Sequence, residues 1–396
     1  MMNPADRKRL LDDVEAFCQE VRPIEELCYV EHRFNDQVLP LGRKYNLLGM
    51  PLPTKYGGRG ADTVTYARAL VRIGREGTGT RTFFSGHTSI GEYPILTWGS
   101  EDLKQRYLPA AARGERLLAF GLTEPDAGSN PLEMTSTYRK EGDRYVLNGV
   151  KYLISNGGIC DSVVTFAYPA GPDGQRQPGG RVSAFVVDRG PGFESEDLTA
   201  KLGMPTSNTA MFEMRDLAVP TANLLGEEGQ GFRIAMGTLV AGRISVAAGC
   251  LGVIEDCLAE CVGYCKERHQ HGKPIGKHQL VQEHLAAIEQ ARFSSDAVLM
   301  HAAEAKDAAT AEPGNRDLAA KAEMAAAQAK LFITNAAWDA ADRAVQIYGG
   351  RGWSTLYRVG RHLMDVRVCR IYEGTDEILK MKVAASLLGK EYEAFK

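Results

Sequence analysis

The chain has 396 residues, 44% of them aliphatic, aromatic or Cys, and a formal net charge of -3. That length exceeds what one hydrophobic core fills, so two or three packed units are expected. The near-balanced charge offers nucleic acid no basic patch, and no uninterrupted apolar run of roughly 18 residues is present to span a membrane.

The segment Met1 to Glu20 mixes acids and bases with apolar residues and lacks the apolar core of a secretory signal, so a cytoplasmic location is expected. Residues 1–116 read as a helical unit: Leu10, Val14, Phe17 and Val21 recur at steps of four and three, an apolar stripe. Pro51, Pro53, Gly57, Gly58 and Gly60 then punctuate the helices.

Residues 117–226 change character to β. Asn148-Gly149 between two apolar runs predicts a hairpin turn, because both residues tolerate positive φ. Val163 to Ala167 and Val182 to Val187 are expected strands, with the Gly/Pro-rich stretch Pro169 to Gly180 an exposed loop between them.

Residues 227–396 are helical again, with spans at 233–266, 278–309 and 317–348; Gly349 and Gly350 close the third. Cys257, Cys261 and Cys265 fall on one helix face and are expected to be buried thiols. Eight cysteines are too sparse for a disulfide framework in a chain this long. Helix, then β, then helix is an α+β order, unlike the alternation of a doubly wound sheet.

Several segments carry possible chemistry. Gly349-Gly350-Arg351-Gly352 follows a helix and not a strand, so it fails the context test for dinucleotide binding and reads as a turn, as does Gly57 to Gly60. His269, His271, His278 and His284 match no zinc spacing, and Arg268, Lys273 and Lys277 among them oppose a cation; no metal is expected, and the segment suits a phosphate better. The loop Thr123 to Asn130 is either a plain connection or a cradle of amides and hydroxyls for a phosphate or flavin edge. In Ile371-Tyr372-Glu373-Gly374-Thr375, Glu373 is either an exposed linker residue or a shielded base of raised pKa; Thr375 or Asp376 would cap the helix that follows.

Taken together the motifs resemble the acyl-CoA dehydrogenase family over nearly the whole chain. They are Tyr56-Gly57-Gly58, Arg106-Tyr107-Leu108-Pro109, Thr123 to Asn130, Leu147-Asn148-Gly149 with Lys151, and Lys201-Leu202-Gly203-Met204. Leu225-Gly226 with Gly229 and Gly231-Phe232, Arg268 to Ile275, Gln346 to Gly350, and Ile371 to Thr375 complete the series. The resemblance implies a helical domain, a middle β-barrel or sandwich domain and a C-terminal four-helix bundle, with FAD held between the subunits of a homotetramer or homodimer. It implies flavin contacts at Phe120, Leu122, Thr123, Leu153 and Ser155, with Ser129 near the FAD or the thioester. Arg268 and His271 would reach the flavin of a neighbouring subunit, Gln346 and Gly350 the pyrophosphate, and Thr375 and Glu377 the adenosine part. Arg243, Tyr372 and Gly374 would line the acyl-CoA site. Glu373 would be the base that takes the α-proton, while the β-hydrogen leaves as hydride to the flavin. Members that carry the base on the long helix have it where Gly242 stands here, without a side chain.

Some positions depart from the family pattern. Leu153 stands where a tryptophan is common, which bears on electron-transferring flavoprotein as acceptor; His271 replaces a phenylalanine, Met364 an arginine and Asn130 an aspartate. Arg81 lies where the family lines its acyl pocket and is similar to the arginine of glutaryl-CoA dehydrogenases, which suits a carboxylate. Two alternatives remain on the same fold: an acyl dehydrogenase acting on a carrier protein, and a flavin oxidase or monooxygenase.

Overall fold

The computed structural model describes residues 2–392. Helix α1 (Pro4–Val30) starts where the Asn3 side chain accepts from the Asp6 amide, and its Leu10, Val14, Phe17 and Val21 stripe is buried. Helices α2 (Val38–Lys44), α3 (Thr63–Gly74), α4 (Thr78–His87), α5 (Tyr93–Trp98) and α6 (Glu101–Ala112) complete the first region. A single π turn, Thr88–Glu92, joins α4 to α5. Every residue of α4 is buried, polar ones included. Such a helix faces protein on all sides, and this one carries Arg81 into the interior.

The middle region holds β1 (Leu118–Gly121), β2 (Thr137–Glu141), β3 (Arg144–Ser155) and β4 (Ser162–Pro169), followed by β5 (Ser183–Asp188), β6 (Phe193–Asp197), β7 (Thr209–Pro220) and β8 (Leu224–Leu225). They form one sheet in the order β6-β7-β3-β2-β4-β5-β8, with β1 parallel to β4 beside that path. Between β4 and β5 the chain loops out through exposed residues, as the Gly/Pro content predicts.

Helix α7 (Gly231–Glu267) follows, then the short hairpin β9 (His269–Gln270) and β10 (Lys273–Pro274), then α8 (Gln279–Ala311) and α9 (Arg316–Tyr348). Helices α10 (Arg358–Val366) and α11 (Asp376–Leu388) are shorter, and α11 lies on α9 to complete the bundle. Helix α7 is long and apolar enough to cross a membrane by composition, but 78% of its most apolar stretch is buried. It is the central helix, packed by α3, α4, α8 and α9. Cys257, Cys261 and Cys265 lie along it, all buried.

The hairpin expected at Asn148-Gly149 is not there. Strand β3 runs straight through both residues, and the turn lies earlier, at Gly142-Asp143, between the paired ends Glu141 and Arg144. Asn148 instead spends its side chain across the sheet: Oδ1 accepts from the Asp216 amide at 2.8 Å and Nδ2 donates to Asp216 Oδ1 at 3.1 Å. The register of β3 against β7 slips between Leu147 and Gly149. This is a bulge, which also favours glycine. Gly149 has φ 144°, and a Cβ there would lie 2.2 Å from Ser136 Oγ. Gly149→Ala is therefore expected to destabilise the fold by about 1–3 kcal/mol, read as a lower denaturant midpoint at unchanged slope.

Candidate active site

The segment between α10 and α11 carries Glu373. A 3-10 turn, Val368–Arg370, precedes it, and Thr375 caps α11 by accepting from the Ile378 amide at 3.2 Å. Between those fixed ends the backbone is left-handed, with φ 54° at Glu373 and 99° at Gly374. A glutamate in that conformation is strained and persists only where its surroundings hold it. Two buried cations supply the hold. Arg243 of α7 donates from Nε to the Glu373 carbonyl at 3.2 Å, and Lys330 of α9 donates from Nζ to the Gly374 carbonyl at 2.8 Å.

The side chain of Glu373 crosses α7 at Gly242. A Cβ built on Gly242 would meet Glu373 Oε2 at 1.9 Å and Cδ at 2.6 Å, so the carboxylate occupies the space that any other residue would fill. Glu373 Oε2 is sealed from water and has no hydrogen-bond partner, although the residue as a whole is half-buried. Burial pushes the carboxyl up to about 7; Arg81, Arg243 and Lys330 act against that rise, and Cys369 adds to it. A carboxyl poised there is suited to exchange a proton near neutral pH.

Arg81 is the third cation. Its guanidinium is fully buried, donating to Ser85 Oγ at 3.0 Å and to the Tyr372 hydroxyl, and its Nε has no partner. Gly249 on α7 leaves the room it fills, since a Cβ there would lie 2.4 Å from Arg81 Nε. The Tyr372 hydroxyl in turn contacts Cys369 Sγ at 3.2 Å.

The other sequence-derived candidates sit in two further settings. Phe120 and Leu122 are buried beside β1, with Phe120 edge-on to Phe166 at 5.1 Å, so their side chains serve the core. Thr123 is half-buried and Ser129 exposed; Leu153 is 56% exposed at φ 60°, and Ser155 ends β3. Arg268 and His271 stand exposed at the far end of α7. The 25 residues from Arg243 to Arg268 correspond to roughly 37 Å of helix. Gln346, Gly350 and Glu377 are exposed too, and nothing lies within 4 Å of a Cβ position at Gly128, Gly349 or Gly350. Open glycine backbone, the exposed Ser129 hydroxyl and an outlying arginine are donors that fit a dinucleotide with a pyrophosphate.

Profiles of the N-terminal, middle and C-terminal domains of acyl-CoA dehydrogenases match residues 4–115, 119–217 and 229–388. The chain belongs to the acyl-CoA dehydrogenase family. An acyl-CoA dehydrogenase of Bacillus subtilis is 41% identical over 372 residues, covering 94% of each chain. The butyryl-CoA dehydrogenase structure from Megasphaera elsdenii superposes with a TM-score of 0.90 at 32% identity, over 98% of this chain and 100% of that one. An acyl-CoA dehydrogenase from Bacillus anthracis complexed with FAD gives 0.90 at 30% identity, over 98% of this chain and 67% of that one. The protein is thus an FAD-dependent oxidoreductase of CH–CH bonds, with the family's helical outer domains and sheet-rich middle domain.

Lys330 and Ser85 escape the sequence reading. The signal for Lys330 is its place on the buried Ala326, Ala329 and Ile333 stripe of α9, where a lysine is rarely found unless it has a partner; here it meets the Gly374 carbonyl and Asp376. Gly242→Ala is expected to keep the fold and the FAD while displacing the carboxylate, because the clash falls on the far end of a flexible side chain. Turnover should drop on the order of 100-fold with little change in melting temperature. A variant of full activity would contradict this geometry.

Proposed function

We propose that Glu373 is the base that removes the α-proton of an acyl-CoA thioester, on the path to the trans-2-enoyl product. The observation that carries this reading is the unpartnered, water-sealed Oε2 held over Gly242 by a strained backbone. A thioester entering this space meets a carboxylate already stripped of solvent, so its proton affinity is high without a counter-hydrogen bond to break. Arg243, Lys330 and Arg81 keep that carboxylate ionised often enough to act at neutral pH. FAD, when bound, supplies the acceptor for the β-hydride. Half-buried Thr123 and Ser155 with exposed Ser129 and Leu153 support the flavin edge of the site, and Tyr372 and Gly374 its acyl-CoA edge.

Arg268, His271, Gln346 and Gly350 lie too far along the bundle to close on the same cofactor as Glu373 of their own chain. That distance supports a homodimer or homotetramer with the flavin shared between subunits. All eight cysteines are free thiols, which suits a reducing cytoplasm. Short acyl-CoA substrates of fatty acid metabolism, with electron-transferring flavoprotein as acceptor, complete the reading.

Glu373→Gln should bind FAD and show no bleaching on anaerobic mixing with butyryl-CoA; appreciable reduction would overturn the assignment. With the wild type, kcat/KM should rise with pH through about 7 and level off above it, since only the ionised carboxylate accepts a proton. Lys330→Met removes a cation that lowers the Glu373 pKa, so the acid limb of that profile should move to higher pH.

A second reading of the substrate rests on Arg81. Among the described residues its guanidinium is hydrogen-bonded only to neutral groups, through Nη1 and Nη2, and its Nε has no partner; a guanidinium can match a carboxylate in two-point contact. A substrate carboxylate would give this buried cation a directly hydrogen-bonded anion in addition to its neutral partners. A dicarboxylic acyl group such as glutaryl is the expected ligand. Glutaryl-CoA should then be turned over in preference to butyryl-CoA, and Arg81→Met should reverse the order; a strong wild-type preference for butyryl-CoA rejects this reading.

A further inference from the structure

A buried ion pair lies in the middle domain, at the loop Thr123 to Asn130. Lys151 on β3 is fully buried and donates from Nζ to Glu124 Oε1 at 2.7 Å. The same carboxylate accepts from the Thr135 amide at 2.6 Å, the Thr135 hydroxyl at 2.9 Å and the Ser136 amide at 3.1 Å. One side chain thus gathers the start of the loop, the segment that ends it, and strand β3.

The strand is irregular where it is gripped. Its register against β7 slips on both sides of Lys151, first between Leu147 and Gly149 and then between Lys151 and Ile154. Positions 151 and 153 would share a face in a regular strand. Here Lys151 is buried, while Leu153, at φ 60°, is turned out and 56% exposed. The Tyr152 amide donates to the Thr123 carbonyl at 2.9 Å, a second tie between loop and strand at the same level. Bare Gly149 lets Ser136 settle against β3. Thr123 and Leu153 are therefore fixed relative to one another by an anchor that touches neither side chain.

A buried ion pair contributes little net stability compared with apolar residues of the same volume, so stability is a poor reason for this one. Its geometric effect is specific. We propose that Glu124 and Lys151 are positioning residues for FAD, setting the distance between the Thr123 loop and the outward-turned strand at Leu153 and Ser155. This rests on the proposed flavin contacts of Thr123, Leu153 and Ser155. The pair acts before any chemistry, so it governs cofactor affinity, whereas Glu373 governs reduction of a flavin already bound.

The test compares Lys151→Met with the double variant Glu124→Gln/Lys151→Met, which leaves no unpaired buried charge. The FAD dissociation constant is read from quenching of flavin fluorescence, and the melting temperature is taken on the apoprotein. Both variants are expected to bind FAD at least ten-fold more weakly, with the double variant melting close to the wild-type apoprotein. The flavin that does bind should still be reduced by butyryl-CoA with the wild-type pH profile. FAD affinity within two-fold of wild type in a folded double variant would overturn the proposal. So would failure of both variants to fold, which would make the pair a folding element. A defect in reduction with normal FAD affinity would likewise overturn it, and would leave the Glu373 reading to its own variant, Glu373→Gln.

Discussion

The carboxylate of Glu373 and the bare Cα of Gly242 occupy one another's space, and the rest of the site is arranged around that contact. A side chain at 242 would drive the carboxylate out, since even a methyl carbon would stand 1.9 Å from Oε2. The left-handed backbone at Glu373 and Gly374 aims the side chain at the helix, and Arg243 and Lys330 hold the two carbonyls that this conformation turns outward. Three elements far apart in sequence thus converge: α7 gives the gap and one cation, α9 the other, and the turn before α11 the acid.

The electrostatics follow from the same packing. A carboxyl taken out of water resists ionisation, and cations near it restore part of the lost stabilisation. Glu373 sits between those tendencies, with burial the larger. Arg243 is committed to a backbone carbonyl, Arg81 to hydroxyls, and Lys330 to a backbone carbonyl with the Asp376 carboxylate 4.0 Å away, so none of them quenches the base by direct hydrogen bonding to its carboxylate. A base paired to an arginine fork would have been held well below neutrality and of little use on a weakly acidic α-carbon. Cations bonded to the backbone beside the acid keep the field and leave the carboxylate lone pairs free.

Much of this was legible in the residues. The helical stripe of α1, the closing glycines after α9 and the Thr375 cap follow from periodicity and capping preferences, which are local. Glu373 was one of two open readings until the family motifs were set in order. The misread Asn148-Gly149 shows the limit: both a tight turn and a bulge want a glycine there, and only the partner strand, through Asp216, decides between them. Lys330 and the Glu124–Lys151 pair were missed for a related reason. Each depends on which groups the tertiary fold brings within reach, and sequence spacing carries that only where a charge falls on a buried stripe. The contact of Glu373 with Gly242 joins the turn before α11 to α7, 131 residues apart in sequence, and has no local signature at all.

The most direct test of the account is an infrared difference titration of protein labelled with 13C-glutamate, subtracting the Glu373→Gln spectrum to isolate one carboxyl. A single band is expected, ionising with a midpoint of about 7 in the substrate-free enzyme. A midpoint at the ordinary glutamate value of 4.5 would mean that the side chain stands in water, and the arrangement described would be wrong.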